Sequence, residues 1–194
     1  RPPTVPDAPV RLFDMGAHTW RDYADLPQPC ATFHLHGTGR AAIDTRDGGL
    51  VPAGDASPAG GMAQSLTLDP WRPAPPQGGS FGMPVGPVDR SRTDARSDIA
   101  TFTMPPFTTP QLLAGEVRCR FVVNGASPSF DLHAVLSRIN ASGQVHTLAE
   151  GFATIRPGET TLPMRATCTR LQPGAALRLS VARSCCPAFP LSPG

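Results

Sequence analysis

The chain has 194 residues, the size of one domain with a real core, and 24 of them are proline and 19 glycine. Its 17 basic residues are all arginine and face 15 acids for a formal charge of +2, which excludes the concentrated basic surface that nucleic acid requires. No apolar run approaches bilayer length and no basic-then-apolar leader opens the chain, so a soluble protein is expected, with the cytoplasm favoured.

Residues 1–9 are proline-rich, lack periodicity and read as a linker remnant. Val10-Arg11-Leu12-Phe13 is a short strand ending before Gly16, and Trp20 and Tyr23 follow in a segment closed by Pro27 and Pro29, with Trp20 expected as a core or rim anchor. Thr32 to His36 alternates, placing Phe33 and Leu35 on one face and His34 and His36 on the other. An H-x-H pair can chelate a metal, yet no third ligand lies close in sequence, and the pair reads as polar sheet surface with no metal or cofactor. Residues 37–61 hold little but small and turn-forming residues and read as a mobile loop; Ser65 to Leu68 reads as a short strand.

Residues 69–98 form the longest stretch without periodicity. Prolines at 70, 73, 75, 76, 84 and 87 remove donors, and Gly78, Gly79, Gly82 and Gly86 permit positive φ, so neither a long helix nor a central strand fits. A connection this long in a compact chain is functional or disordered, and Trp71, Phe81 and Met83 point to an ordered loop. Gly78-Gly79-Ser80-Phe81-Gly82 matches the G-x-S-x-G of a nucleophile elbow, but the strand before and helix after that an elbow needs are missing. Arg96 and Asp98 are expected to pair, or to bind loop carbonyls, where the loop rejoins strand 99–103.

Beyond it the strand signals are regular. Glu116 to Val123 sets Val117, Cys119, Phe121 and Val123 on one face. Phe130 to Ile139 sets Leu132, Ala134 and Leu136 inward and Asp131, His133 and Ser137 outward, then turns at Asn140 to Gly143, a formal glycosylation sequon, into the returning strand 144–154. Strands over 160–169 and 176–181 follow, the latter with Leu177, Leu179 and Val181 inward. Cysteines 30, 119, 168, 185 and 186 lack metal-like spacing and read mostly as buried thiols. Eight or nine short strands with almost no amphipathic helix predict an all-β sandwich, and the long crossovers favour a jelly roll.

Taken in order, several of these pieces resemble the C-terminal domain of X-Pro dipeptidyl-peptidase and cocaine-esterase-like (CocE/NonD) serine hydrolases. They are Val10 to Gly16 with Trp20-Arg21 and Pro27, Phe33-His34-Leu35, Asp69-Pro70 through Gly78-Gly79, Gly86 to Arg90, Arg96-Ser97-Asp98, Phe102-Thr103, Gly115, Phe130-Asp131 with Leu136, Gly143, Gly151, Pro173-Gly174 with Leu177 to Leu179, and Pro187-Ala188-Phe189. The resemblance spans nearly the whole chain, although the stretch from Gly151 to Pro173 is short for the family and further closing strands are missing. It implies a galactose-binding-like jelly roll packed on an N-terminal α/β-hydrolase domain, in the same or an associated chain, that carries the Ser-Asp-His triad. By position it implies that Ser80, Phe81, Gly82 and Met83 line the substrate pocket, with Asp69, Arg96 and Asp98 anchoring the loop. The expected function is therefore a non-catalytic domain of a hydrolase of esters, amides or X-Pro dipeptides, sharing a small substrate with its catalytic partner and compatible with a homodimer. The alternatives are a stand-alone carbohydrate-binding module, for which the aromatic supply is thin, and an esterase using Ser80 with His133 or His146 as base.

Overall fold

The structure, a computed structural model, describes residues 9–54 and 62–191. Nearly all of the linker stretch 1–9, and residues 55–61 of the expected loop, therefore lie outside the described residues. The described residues form ten strands and one helical turn. The strands β1 (Val10–Asp14) and β2 (Thr19–Tyr23) form a ribbon of their own, pairing Phe13 with Trp20. Six strands make the main sheet in the order β3 (Phe33–His36), β4 (Gly49–Pro52), β5 (Ile99–Thr103), β10 (Ala176–Ala182), β7 (Phe130–Ile139), β8 (Val145–Ile155). The long strands β6 (Gln111–Val123) and β9 (Gly158–Leu171) pair antiparallel as a second layer.

One apolar core joins the layers, combining Phe102, Leu132, Leu136, Leu179 and Val181 of the main sheet with Cys119, Leu162, Met164 and Leu171 of the β6–β9 ribbon. This is an all-β sandwich, and the alternation in strands 117–123, 130–139 and 176–181 assigns its inward residues as the sequence predicts. The layers meet closely at Gly151, where a Cβ would stand 2.4 Å from the carbonyl oxygen of Pro163, so a larger residue would force β8 and β9 apart. Asp14, fully buried, ties the β1–β2 ribbon to β9: its Oδ1 accepts from the amides of Gly16, Ala17 and Arg170, and Arg21 donates to its Oδ2 at 2.8 Å. Trp20 stays 58% exposed, beside Phe13 and beneath the Arg11 guanidinium, a rim position rather than a core one.

Four local expectations are corrected. The loop predicted over 37–61 contains β4 and the fully buried Ala41, whose carbonyl accepts from Thr101, because β4 must cover the open side of β5. Ser65 to Leu68 is irregular rather than a strand, although Leu66 packs on the core. A single helical turn, α1 (Ser91–Asp94), interrupts the long loop. The outward face of β7 is also buried: Asp131, His133 and Ser137 are as shielded as Leu132 and Leu136. That face is covered not by a sheet but by the proline-glycine loop.

Candidate functional site

The loop 69–98 lies across the second face of the main sheet. Ala74 packs with Ile99 and Ala182 in a small cluster of its own, and its amide donates to Ser184 Oγ at 2.8 Å while its carbonyl accepts from Cys186. Farther along, Asp89 Oδ1 accepts from the amides of Ser91 and Val145, both at 3.0 Å, which hold its carboxyl below the usual range, and Arg90 N returns a bond to Val145 O. The Gln77 amide nitrogen donates to the Asp89 carbonyl, and Thr93 donates to the Gln77 side-chain oxygen. Asp94 of α1 sits fully buried over β10, where Ser180 Oγ and Arg90 Nε both donate to its Oδ1 at 3.0 Å. Two donors on one oxygen offset part of what burying that carboxyl group costs. Together these contacts close both roots of an excursion whose tip is residues 78–86.

The tip depends on its glycines. Gly78 and Gly79 take φ values of 65° and 63°, a region a side chain strongly disfavours. Gly79 and Gly86 exchange two backbone hydrogen bonds of 2.8 Å, and Gly82 N donates to Gly78 O at 3.0 Å, so the tip closes on itself. A Cβ on Gly79 would lie 2.6 Å from Glu150 Oε1. That carboxylate, on β8 and only 3% exposed, accepts from the amides of Ser80 and, at 3.0 Å, Phe81.

Glu150 has a second neighbour. Its Oε2 lies 3.5 Å from His133 Nε2 on the paired strand β7. Burial would raise the Glu150 pKa, but His133 and the two amides outweigh it and hold the carboxyl below its ordinary value. Burial dominates for the imidazole, whose pKa is lowered despite the carboxylate, with Arg90 adding to the depression. A carboxylate therefore faces a neutral histidine, and its charge is stabilised by the His133 imidazole and by the two backbone N–H dipoles together.

The residues singled out in the sequence separate in space. Phe81 turns its ring inward against Phe189, centroids 5.1 Å apart and edge-on, with Phe189 stacked on Phe152 at 4.0 Å and Arg165 over the Phe81 ring. Ser80 is exposed, Gly82 is buried, and Met83, preceding a cis proline, stands 89% exposed. Arg96 grips Asp98 through two nitrogens at 2.8 and 2.7 Å and also donates to the Arg72 carbonyl. Asp69 caps a local turn, accepting from Trp71 N at 3.0 Å and from Arg72, while the Trp71 ring projects 92% exposed. Neither strand nor helix flanks Ser80, so the G-x-S-x-G match is not an elbow. His133, one of the bases weighed for it, is spent on Glu150 beneath the loop. Among the described residues no group of three His, Cys, Asp or Glu is placed to hold a metal ion, and no helix is long and apolar enough to cross a membrane.

Sequence reasoning missed Glu150 and Phe189. The one available signal was indirect: two consecutive amides after a glycine pair need an acceptor, and Glu150 is the one carboxylate in the strand Val145–Ile155.

Fold and site thus define an all-β domain that presents an anchored loop and shows no nucleophile elbow among the described residues. Residues 5–194 match the X-Pro dipeptidyl-peptidase C-terminal non-catalytic domain, and the chain belongs to that family. It is 30% identical over 157 residues to the cocaine esterase of Rhodococcus sp. (strain MB1 Bresler), covering 78% of this chain and 27% of that protein. In three dimensions it resembles an aminopeptidase from a marine sediment Thaumarchaeota archaeon, with TM-score 0.76 at 17% identity over 99% of this chain and 35% of that one. It also resembles an α-amino acid ester hydrolase, with TM-score 0.67 at 18% identity over 98% of this chain and 36% of that one. The chain therefore spans about a third or less of each of these relatives.

Proposed function

We propose that this chain is the accessory domain of a serine hydrolase acting on esters, amides or X-Pro dipeptides, docking on an N-terminal α/β catalytic domain and lending its loop tip to the wall of the substrate pocket. Ser80, Phe81, Gly82 and Met83 form that wall. Met83 supplies apolar contact directly, the half-buried Phe81 backs it from within the domain, and Gly82 lets the turn fold tightly beneath them. Asp69, Arg96 and Asp98 hold the base of the loop.

The observation that carries this reading is the pairing of rigidity with exposure. A tip bound through two amides to a buried carboxylate nevertheless projects Met83 and Val85 outward, at 89% and 63% exposure, and the Asp69 turn at the start of the same loop projects Trp71 at 92%. Large apolar side chains held out by a well-anchored loop are what a partner surface or a substrate would cover. The family assignment and the likeness to named hydrolases support the same reading.

The test is kinetic. In the hydrolase formed by this chain and its catalytic domain, Met83→Ala removes most of one apolar contact of about 1–2 kcal/mol, raising KM roughly five- to thirtyfold for substrates with an apolar acyl group. An unchanged KM in Met83→Ala and Phe81→Ala alike would remove the loop from the pocket.

A further inference from the structure

We propose that Glu150, far from the loop in sequence and exposing only 3% of its surface, is the positioning residue that sets the placement of the pocket-lining segment Ser80–Met83 and thereby substrate affinity. The inference rests on the pocket reading above.

Three observations converge on this residue. Its Oε1 receives the amides of both Ser80 and Phe81, two successive residues of the tip, so one oxygen fixes two successive peptide planes. The Gly79 α-carbon sits so near that its missing Cβ would overlap Oε1 at 2.6 Å and the Glu150 Cδ at 3.0 Å, so the backbone is drawn down onto the carboxylate. The other oxygen faces His133, itself 4% exposed, which leaves little freedom for the side chain to swing away. The other contacts between the tip and the body of the domain run through the faces and edges of the Phe81 ring: against Phe189, near the His133 ring at 6.0 Å, and beneath the Arg165 guanidinium. Apolar contact is non-directional and tolerates sliding, whereas two charge-assisted hydrogen bonds to one atom do not. Glu150 therefore fixes where Met83 points, while Phe189 only keeps the loop from lifting.

A purely structural role would make Glu150 interchangeable with other stabilising residues, and this separates the two cases. Glu150→Gln keeps an acceptor oxygen for the two amides without the charge; Glu150→Ala removes the acceptor. Met164→Ala, at a buried β9 residue of the main core, serves as a destabilised control that removes none of the hydrogen bonds Glu150 makes to Ser80 and Phe81. In amide ¹H–¹⁵N spectra of this chain, the Ser80 and Phe81 protons are expected far downfield. They should shift upfield partly in Glu150→Gln and fully in Glu150→Ala, with the β10 amides unmoved. In the hydrolase, KM is expected to rise about threefold in Glu150→Gln and tenfold or more in Glu150→Ala, with kcat within about twofold and Met164→Ala unchanged in KM. Should Glu150→Ala fail to fold, the graded response of Glu150→Gln against Met164→Ala decides. If Phe81→Ala and Met83→Ala move KM but neither Glu150 variant does, or if Met164→Ala moves it equally, the positioning role is overturned while the pocket reading stands. If none of the loop variants moves KM, both fall together.

Discussion

Glu150 Oε1 accepts the Phe81 amide proton across 3.0 Å, joining residues 69 positions apart in the chain. This contact turns a proline-glycine excursion, which by composition resembles a flexible linker, into a shaped surface. Leaving the Ser80 and Phe81 amides without this acceptor would cost free energy, so the contact favours one placement of the tip over the sheet.

Gly79→Ala is expected to be disproportionately harmful for a single methyl group. Its φ of 63° disfavours a side chain and the new Cβ would meet Glu150 Oε1 at 2.6 Å. A loss of roughly 2–3 kcal/mol is expected in urea unfolding, with the Ser80 and Phe81 amides losing exchange protection first. A loss below about 0.5 kcal/mol would show that the pair Gly79–Glu150 is not tight in solution.

Acid sensitivity should begin with His133. Its pKa is lowered in the fold by burial, so the unfolded chain takes up a proton near pH 6.5 that the folded chain refuses. Stability is then complete above about pH 6.5 and falls toward the lower folded pKa, by at most about 1.4 kcal/mol per pH unit for this one proton. Glu150, Asp14 and Asp89, whose carboxyls are also lowered, add their loss only below about pH 4.5, as pH drops through their folded values. His133→Gln should flatten the stability profile between pH 6.5 and 5 while leaving the lower limb; an identical slope in both proteins would contradict a neutral buried imidazole.

Asp14→Ala should release the β1–β2 ribbon. It strands the Arg21 side chain and three amides, of Gly16, Ala17 and Arg170, that share one fully buried carboxylate. A loss of about 3 kcal/mol is expected from chemical denaturation, accompanied by a change in Trp20 fluorescence before the main transition.

The exposed aromatic of the loop should behave in the opposite way. Trp71 is 92% exposed, so Trp71→Ser is expected to change the stability of this chain by less than about 0.5 kcal/mol. In a complex with a catalytic domain the same variant should dissociate more readily, as judged by sedimentation. Equal sedimentation of the two proteins would take Trp71 out of the docking surface.

Thiol reactivity offers an independent check on the packing. Cys119 and Cys185 are buried and desolvation pushes each thiol up to about 12, and Cys168 is buried with its thiol raised as well. All five cysteines are free, with Cys30 exposed. At pH 8 a disulfide reagent should label Cys30 within seconds and the three buried thiols only on unfolding. Fast reaction of Cys119 or Cys185 would mean that the core opens readily.

Local pattern carried much of this architecture. Alternation over 117–123, 130–139 and 176–181 specifies inward and outward residues without reference to anything distant, because side chains on a strand repeat every two residues. Glycine and proline spacing likewise marked 69–98 as a long shaped loop, and Arg96-Ser97-Asp98 places its two charges close enough to meet. The same local rules missed β4, since Gly49–Pro52 pairs with β5 through a single parallel register point and carries little alternation of its own. They also left Asp131, His133 and Ser137 on an outer face, because nothing in a strand's own period says what will be laid over it.

By its sequence alone the protein is committed to being all sheet and crossover, with a rigid-looking loop and no place for a nucleophile elbow, since strand periodicity, proline geometry and glycine freedom act within a few residues. Only the tertiary structure decides that β10, the last strand, inserts between β5 and β7, and that the loop lies on the face this creates. The partnership of Glu150 with Ser80, Phe81 and His133 depends on that arrangement, as a buried carboxylate finds its donors through space rather than along the chain.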